Sequence, residues 1–359
     1  MGIKTEVLDN KCPHCGANIV LNPKTGNFKC EYCGIESSLE EIKKYNLRDN
    51  AAAKNEETTH IDNYNEYFTY TCQNCGAEIV ADEQTTATFC IYCGNTAILK
   101  NKLSGKFNPK LIIPFKKTKE EAIQAFKSLN NHRPLIPNGF TDIKNIEKIR
   151  GIYIPFWFHD FYIEGGIVTR GTTVYNYTIG TTHYTKTTTY KIVRDGYVNY
   201  YSVPVDGSTR FDNALMNSIQ PYDYKELVPY NHAYLSGFLA ERYDVESNNT
   251  RKDVEPSILK EVKNLFINDA AMYNPSHLVK TNTLETKKHS VEYVLLPVYM
   301  VNVKYMGKMY TYAMNGQTGE FIGNIPVSKF KLITYTIALL ISLFLFFLAI
   351  SFLLYKVGL

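Results

Sequence analysis

All eight cysteines of this chain fall within its first 93 residues, in two quartets of one pattern. Cys12-x2-Cys15 and Cys30-x2-Cys33 recur as Cys72-x2-Cys75 and Cys90-x2-Cys93, each position displaced by 60 residues. The flanks recur too: Cys15-Gly16-Ala17-Asn18-Ile19-Val20 against Cys75-Gly76-Ala77-Glu78-Ile79-Val80. A two-residue gap lets two thiolates point into one knuckle, and two knuckles complete a tetrahedral S4 site. Each pair is followed directly by glycine, at 16, 34, 76 and 94, and glycine tolerates the left-handed backbone that turns knuckle amides toward sulfur. Two structural Zn2+ ions are therefore expected, one per quartet. Iron suits the same ligands, and disulfides would need an oxidising compartment. With four protein ligands per site, neither ion keeps an open position for catalysis. His14 lies inside a knuckle and is expected to be exposed.

The quartets set the domain plan: ribbon 1 over residues 1–40, a linker over 41–66, ribbon 2 over 67–104, and a larger domain over 105–328. Leu39–Tyr45 has the length of a short helix, and Asp49–Asn65 is polar. The C-terminus carries an uncharged run, Leu332–Leu354, of 23 residues, 16 of them Leu, Ile or Phe. At about 1.5 Å per residue a helix there spans roughly 34 Å, enough for a hydrocarbon core of about 30 Å. The expectation is a transmembrane helix acting as a tail anchor. Met1–Lys11 has no apolar core, so no signal peptide is expected. Together with Lys329 and Lys331 before the run, this favours a single-pass protein whose N-terminal body lies in the cytoplasm.

The larger domain reads as α+β with an antiparallel sheet. Leu111–Phe115 is a short strand. Thr118 and Glu121 form a capping box before the helical spacing Ala122, Ile123, Phe126, Leu129. Ile152–Val205 is dense in Tyr, Thr, Val and Ile, with turn signals at Gly165-Gly166, Gly180 and Asp195-Gly196, which predicts an antiparallel meander. Phe211–Ile219, Tyr230–Tyr243 and Val254–Asn268 are predicted helical. Val291–Val303, Met309–Met314 and Glu320–Ile325 are predicted to be closing strands. The triplets at Pro114, Pro155 and Pro297 hint at a weaker repeat.

No motif in this domain carries recognisable chemistry. His159-Asp160, Asp206, Arg210 with Asp212, and Asp223 fit no ligand or triad spacing, and Gly165-Gly166 lacks a βαβ setting. The chain is expected not to be an enzyme. Nor does charge point to nucleic acid. Residues 1–104 hold 10 basic against 14 acidic residues, and Cys72–Cys93 contains no Lys or Arg, whereas phosphate binding draws on both.

Several segments carry a family resemblance: Val203–Ser208, Asp212–Met216, Ile219–Asp223, Ala233–Ala240, Leu296–Tyr299 and Tyr310–Gly319. With ribbons before them and a membrane segment after, the chain resembles the bacterial zinc-ribbon, C-terminally membrane-anchored proteins of the YdjG type. Such proteins often carry the labels TFIIB-type zinc ribbon or primosomal helicase-like, the latter with no Walker motif here to support it. The resemblance implies a non-enzymatic scaffold or adaptor that recruits protein partners to the cytoplasmic face of the membrane. Flotillin-like proteins of membrane stress are among the implied partners, and no catalytic residues are implied. The alternative is a membrane-tethered nucleic-acid-binding zinc-ribbon protein.

Overall fold

The computed structural model describes residues 12–45, 68–72, 76–81, 90–91, 98–102, 109–132, 134–138, 140, 149–210, 213–276, 278–306, 308–323 and 326–357. The fold is α+β, and the described residues form two sheets and one long apolar C-terminal helix. The small N-terminal sheet joins β1 (Ile19–Leu21), β2 (Phe28–Cys30) and β3 (Glu36–Ser37), and residues 39–45 follow as a helix. Among the described residues the large sheet has twelve strands. In chain order they are β4 (Phe68–Cys72), β5 (Glu78–Ala81), β6 (Ile98–Lys102), β7 (Leu111–Ile112), β8 (Arg150–Ile179), β9 (Thr182–Asp206), β10 (Val228–Pro229), β11 (Leu239–Glu241), β12 (Thr281–Asn282), β13 (Glu285–Tyr305), β14 (Lys308–Asn315) and β15 (Phe321–Gly323). Its path runs β10-β7-β13-β8-β11-β5-β4-β6, antiparallel except for the pairs β7–β13 and β8–β11.

The strand β8 organises this sheet. Ile152–Phe158 is a near-continuous apolar run because both faces of the strand are covered there. Tyr153 and Trp157 pack on one side, Ile152, Ile154, Phe156 and Phe158 on the other. On the first side, Phe115 stacks on Phe238 at 4.0 Å and meets Tyr153 and Tyr299 edge-on, both at 4.9 Å. Helix Lys119–His132 starts at the capping box the sequence indicates: the Thr118 N–H donates to Glu121 Oε2 at 2.7 Å, and the Glu121 N–H to Thr118 Oγ1 at 3.3 Å. The Thr118 amide holds the Glu121 carboxyl below its usual range.

Two expectations fail here. The stretch 152–205 is one hairpin and not a meander. β8 and β9 pair along their length and turn once, at Gly180, whose φ of +60° suits the first position of a two-residue loop. Gly165 and Gly166 lie within β8. A Cβ at Gly165 would sit 2.3 Å from the Thr283 carbonyl oxygen, and one at Gly166 2.5 Å from that of Arg194. These glycines mark close backbone approach, not chain reversal. The second failure is Tyr230–Tyr243. It forms a 3-10 turn, His232–Leu235, and then β11, because Gly237 takes φ +84° and ends any helix. The three proline triplets lie on neighbouring strands or beside them, since Ile113 donates to the Leu295 carbonyl and Pro155 faces Leu295.

The C-terminal helix runs Lys329–Val357, and Lys329–Ser351 is long and apolar enough to cross a membrane, with none of it buried in the fold. That exposure is what membrane association requires. Its start is fixed to the body: the Ser328 N–H donates to the Leu135 carbonyl at 2.9 Å, and Lys331 Nζ to that of Ile136 at 2.7 Å.

Candidate metal centre

Pairing of β1 with β2 brings the first two knuckles face to face. Cys12, Cys15, Cys30 and Cys33 converge, their four Sγ atoms all within 4.8 Å of one another. Cys12 and Cys33 are 3.6 Å apart, Cys15 and Cys30 3.5 Å. A tetrahedron with metal–sulfur bonds of about 2.3 Å has edges of about 3.8 Å, so the quartet fits a single ion. None of the four is in a disulfide. The Cys33 N–H points at Cys30 Sγ from 3.5 Å, and the Cys33 and Tyr32 amides hold the Cys30 thiol below its ordinary range. That is the amide-to-sulfur geometry a thiolate ligand needs. His14 is exposed and takes no part.

The knuckles share one backbone design. In ribbon 1 the Cys12 N–H donates to Ala17 O at 2.6 Å and the Gly16 N–H to Cys12 O at 2.9 Å; Cys30 to Ile35 and Gly34 to Cys30 repeat this, both at 2.9 Å. In ribbon 2, Cys72 donates to Ala77 at 2.8 Å and Gly76 to Cys72 at 2.9 Å. Gly16, Gly34 and Gly76 take φ of +72°, +75° and +68°. Cys72 and Cys90 are buried together with Ala77. Cys75 and Cys93, the other two expected ligands, lie outside the described residues, as does most of the linker 41–66.

The ribbons are built into the body. Strands β4, β5 and β6 of ribbon 2 continue the large sheet, with β5 pairing to β11 through Val80–Ala240 and Ile79–Glu241. Polar side chains pin this seam. Arg210 Nη2 donates to the carbonyl of the knuckle residue Gly76 at 3.1 Å, and its Nε lies 3.3 Å from Glu241. Fully buried Glu241 also accepts from Ser208 Oγ at 2.7 Å. Arg242 reaches Glu78 at 3.3 Å, and Asn302 donates to the Ile91 carbonyl. Ribbon 1 docks on the 3-10 turn: Phe28 meets the Tyr234 ring at 5.8 Å, and the Leu21 N–H faces the Ser236 carbonyl at 3.5 Å. A cavity of about 610 Å3 opens between ribbon 1, the start of helix Lys119–His132 and Arg150.

Of the polar residues noted in the sequence, Asp212 lies outside the described residues; the others have partners within the fold. Arg210 belongs to the ribbon 2 seam; Asp206 accepts from the Ser208 N–H at 2.9 Å, and burial pushes its carboxyl up to about 7. Asp223 caps a turn by accepting the Lys225 N–H, and its own N–H donates to Gln317. His159 is fully buried; its Nε2 faces Thr250 Oγ1 at 2.9 Å and its Nδ1 faces His289 Nε2 at 2.8 Å. Thr250 donates to the Ser247 carbonyl, so it accepts from His159 Nε2–H, and His289 donates to His159 Nδ1. The segments that carry the family resemblance also meet. Asn315 donates to Ile219 O at 2.9 Å, Tyr222 Oη to Pro297 O at 3.1 Å, and Gly316 N–H to Pro297 O at 2.9 Å. The docking residues Glu241, Arg242 and Asn302 were not anticipated; Arg210 was, as a polar cluster without an assigned role.

No family model matches the chain, and no solved structure matches it. It is 33% identical over 328 residues to the uncharacterized protein YdjG of Bacillus subtilis (strain 168), covering 90% of this chain and 92% of that protein. It is also 33% identical over 98 residues to transcription factor S of Methanothermococcus thermolithotrophicus, covering 24% of this chain and 91% of that protein.

Proposed function

The chain belongs to the family of the Bacillus subtilis YdjG protein, and from that premise we propose that it is a membrane-anchored zinc-ribbon scaffold, not an enzyme. In this reading the C-terminal helix spans the membrane once and the body lies in the cytoplasm. Zn2+ occupies the Cys12, Cys15, Cys30, Cys33 centre, in a ribbon of the TFIIB type. A second Zn2+ is held by Cys72, Cys75, Cys90 and Cys93, a proposal supported by the shared knuckle design at Cys72. Both ions would be structural, since thiolates fill all four positions. The ions would hold the knuckles, and this chain's own groups would fix them: the Gly16, Gly34 and Gly76 turns, and Arg210 at the Gly76 carbonyl.

The observation that carries the reading is the continuity of ribbon 2 with the large sheet, which presents a ribbon on a frame attached to the membrane helix. The partners proposed are proteins, flotillin-like membrane proteins among them. The test is affinity capture of the full chain from detergent-solubilised membranes. Proteins that co-purify with it and are lost on Cys12→Ser are the expected result. Capture of nucleic acid in their place would overturn it.

A second reading, a membrane-tethered nucleic-acid binder, is favoured by the likeness to a transcription factor. The shortage of basic residues in the ribbons weighs against it. The scaffold reading expects no oligonucleotide binding tighter than the roughly 10⁻⁴ to 10⁻⁶ M of non-specific contacts at physiological salt.

A further inference from the structure

The hairpin β8–β9 is two structures in series. Near its base, Phe161, Ile163 and Ile167 are buried against Ile258 and Val262 of the helix Ser247–Asn268. Beyond Gly171, among the described residues, the cover is thin: no residue from Thr172 to Lys191 is buried, and the Tyr273 ring meets Tyr190 at 5.0 Å. Eight residues on each side of the turn at Gly180-Thr181 make an arm about 26 Å long. At its base β8 is flanked by β12 and by a bridge from Gly171 to Pro275. Among the described residues β9 pairs with β8 alone, so its outer edge presents backbone N–H and C=O groups along the whole arm. Such an edge is a template for another strand.

The side chains on the arm select what that strand could be. Residues facing each other across the pair share a face. Tyr175 faces Lys186 and Tyr177 faces Tyr184, so one face is an exposed aromatic ladder with a cation beside it, the Tyr177 and Tyr184 rings stacked at 5.3 Å. Arg170 faces Lys191 on the opposite side. Between Glu164 and Asp195 the chain has no acidic residue and four basic ones. Only Arg194 of these has an ion-pair partner among the described residues, Asp269 at 2.8 Å. Arg170, Lys191 and Lys280 line a cavity of about 270 Å3 with no acidic residue in its wall.

We propose that the arm, residues 170–191, is a docking edge for an acidic, extended segment of a partner protein, which adds as a further strand along β9. Main-chain hydrogen bonds to the open edge supply affinity, and alternate side chains meet the tyrosines and the cations. A second copy of the chain is disfavoured because the same cations would face each other. A nucleic-acid strand offers phosphates but no alternating N–H and C=O to complete the ladder. The inference rests on the scaffold reading and adds a contact surface to it that is separate from the ribbons.

The test uses the full chain in detergent and a fluorescent ten-residue peptide of alternating Val and Glu. This probe should bind, and the double variant Lys186→Glu with Lys191→Glu should weaken it about tenfold or more, since each reversal replaces an attraction with a repulsion. Methylating alternate backbone nitrogens of the peptide should abolish binding, because the ladder loses its donors. Both variant positions are exposed, so the fold should survive them. Equal binding to parent and double variant, indifference to N-methylation, or tighter binding of a fifteen-residue oligo-dT would each overturn the proposal. Absence of peptide binding, with capture of protein partners intact, would remove the arm and leave the scaffold.

Discussion

Gly237 decides whether ribbon 1 rides on the body or swings free of it. Its φ is +84°, and a Cβ built there would lie 2.5 Å from Val20 Cγ1 of β1. Gly237→Ala therefore meets two costs. A residue with a side chain in the left-handed region costs about 1–2 kcal/mol. The clash adds about 1–3 kcal/mol, because valine is stiff about χ1 and its methyl cannot simply rotate away. A total of about 2–5 kcal/mol falls on the docking seam, where Leu21 N–H faces Ser236 and Phe28 meets Tyr234. Since every 1.4 kcal/mol is a factor of ten, hydrogen exchange at the Leu21 amide should quicken by about 30- to 4,000-fold when opening is local. The control is Gly26→Ala, at φ +70° with nothing within 4 Å of its Cβ, which carries the backbone cost alone. Mass spectrometry of exchange over residues 19–30 and 232–239, with metal content measured in parallel, reads both variants. If Gly237→Ala leaves the Leu21 amide as slow as in the parent, or merely matches Gly26→Ala, ribbon 1 is not docked as described.

Three further outcomes can be checked directly. Cys12→Ser should lower bound zinc from two ions per chain to one by elemental analysis, because three thiolates in ribbon 1 no longer enclose an ion; iron, or an unchanged ratio, would refute the assignment. Thr118→Ala removes one half of the capping box and should cost about 1 kcal/mol, lowering the thermal midpoint by about 2–4 °C in a melt followed by circular dichroism. Two buried groups should bend stability against pH in opposite directions. Burial, then the His289 and Arg251 charges, lower His159 to about 4, so its contribution is full above its unfolded pKa of about 6.5 and fades as pH falls toward 4. Burial raises Asp206 to about 7, so its contribution is full below about 3.9 and fades as pH rises through 7. Relative to the parent, His159→Gln should flatten the loss of stability on acidification and Asp206→Asn should steepen it, in denaturant titrations between pH 4.5 and 7; shifts of the same sign would refute the pair.

What the sequence made legible is what short-range chemistry dictates. The Cys-x2-Cys-Gly units close within five residues of themselves, so the Gly16 and Gly34 turns and the first quartet could be placed from spacing alone. The Thr118–Glu121 capping box is equally local, as is the apolar C-terminal helix. The misreadings share one cause. Gly165, Gly166 and Gly237 each answer a neighbour far along the chain: Thr283, Arg194 and Val20. A glycine that makes room for another backbone looks, in sequence, like a glycine that turns its own. The ribbon 2 seam was hidden for the same reason, since Arg210 and Gly76 are 134 residues apart. The reach of the hairpin was masked by its composition, because Thr and Tyr suit a half-buried meander and an exposed arm equally well.

The arrangement has a consequence for the proposed scaffold role. The hydrogen-bonded path from Cys72 runs through β4, β5 and β11 to β8, and on through β13, β14 and β15 toward the C-terminal helix. The arm is the far end of that same β8. From Tyr153, where β11 pairs, to Ile179 at the turn is about 85 Å measured along the strand. Ribbon 2 and the arm tip are thus separated by a continuous strand, not by a linker, which narrows the range of spacings relative to a flexible tether. A partner that touched both would be oriented relative to the C-terminal helix, and binding at one site would raise the effective concentration at the other only where the partner matches that span. Rigidity therefore makes selection by partner length possible, which independent ribbons on a polar linker could not supply.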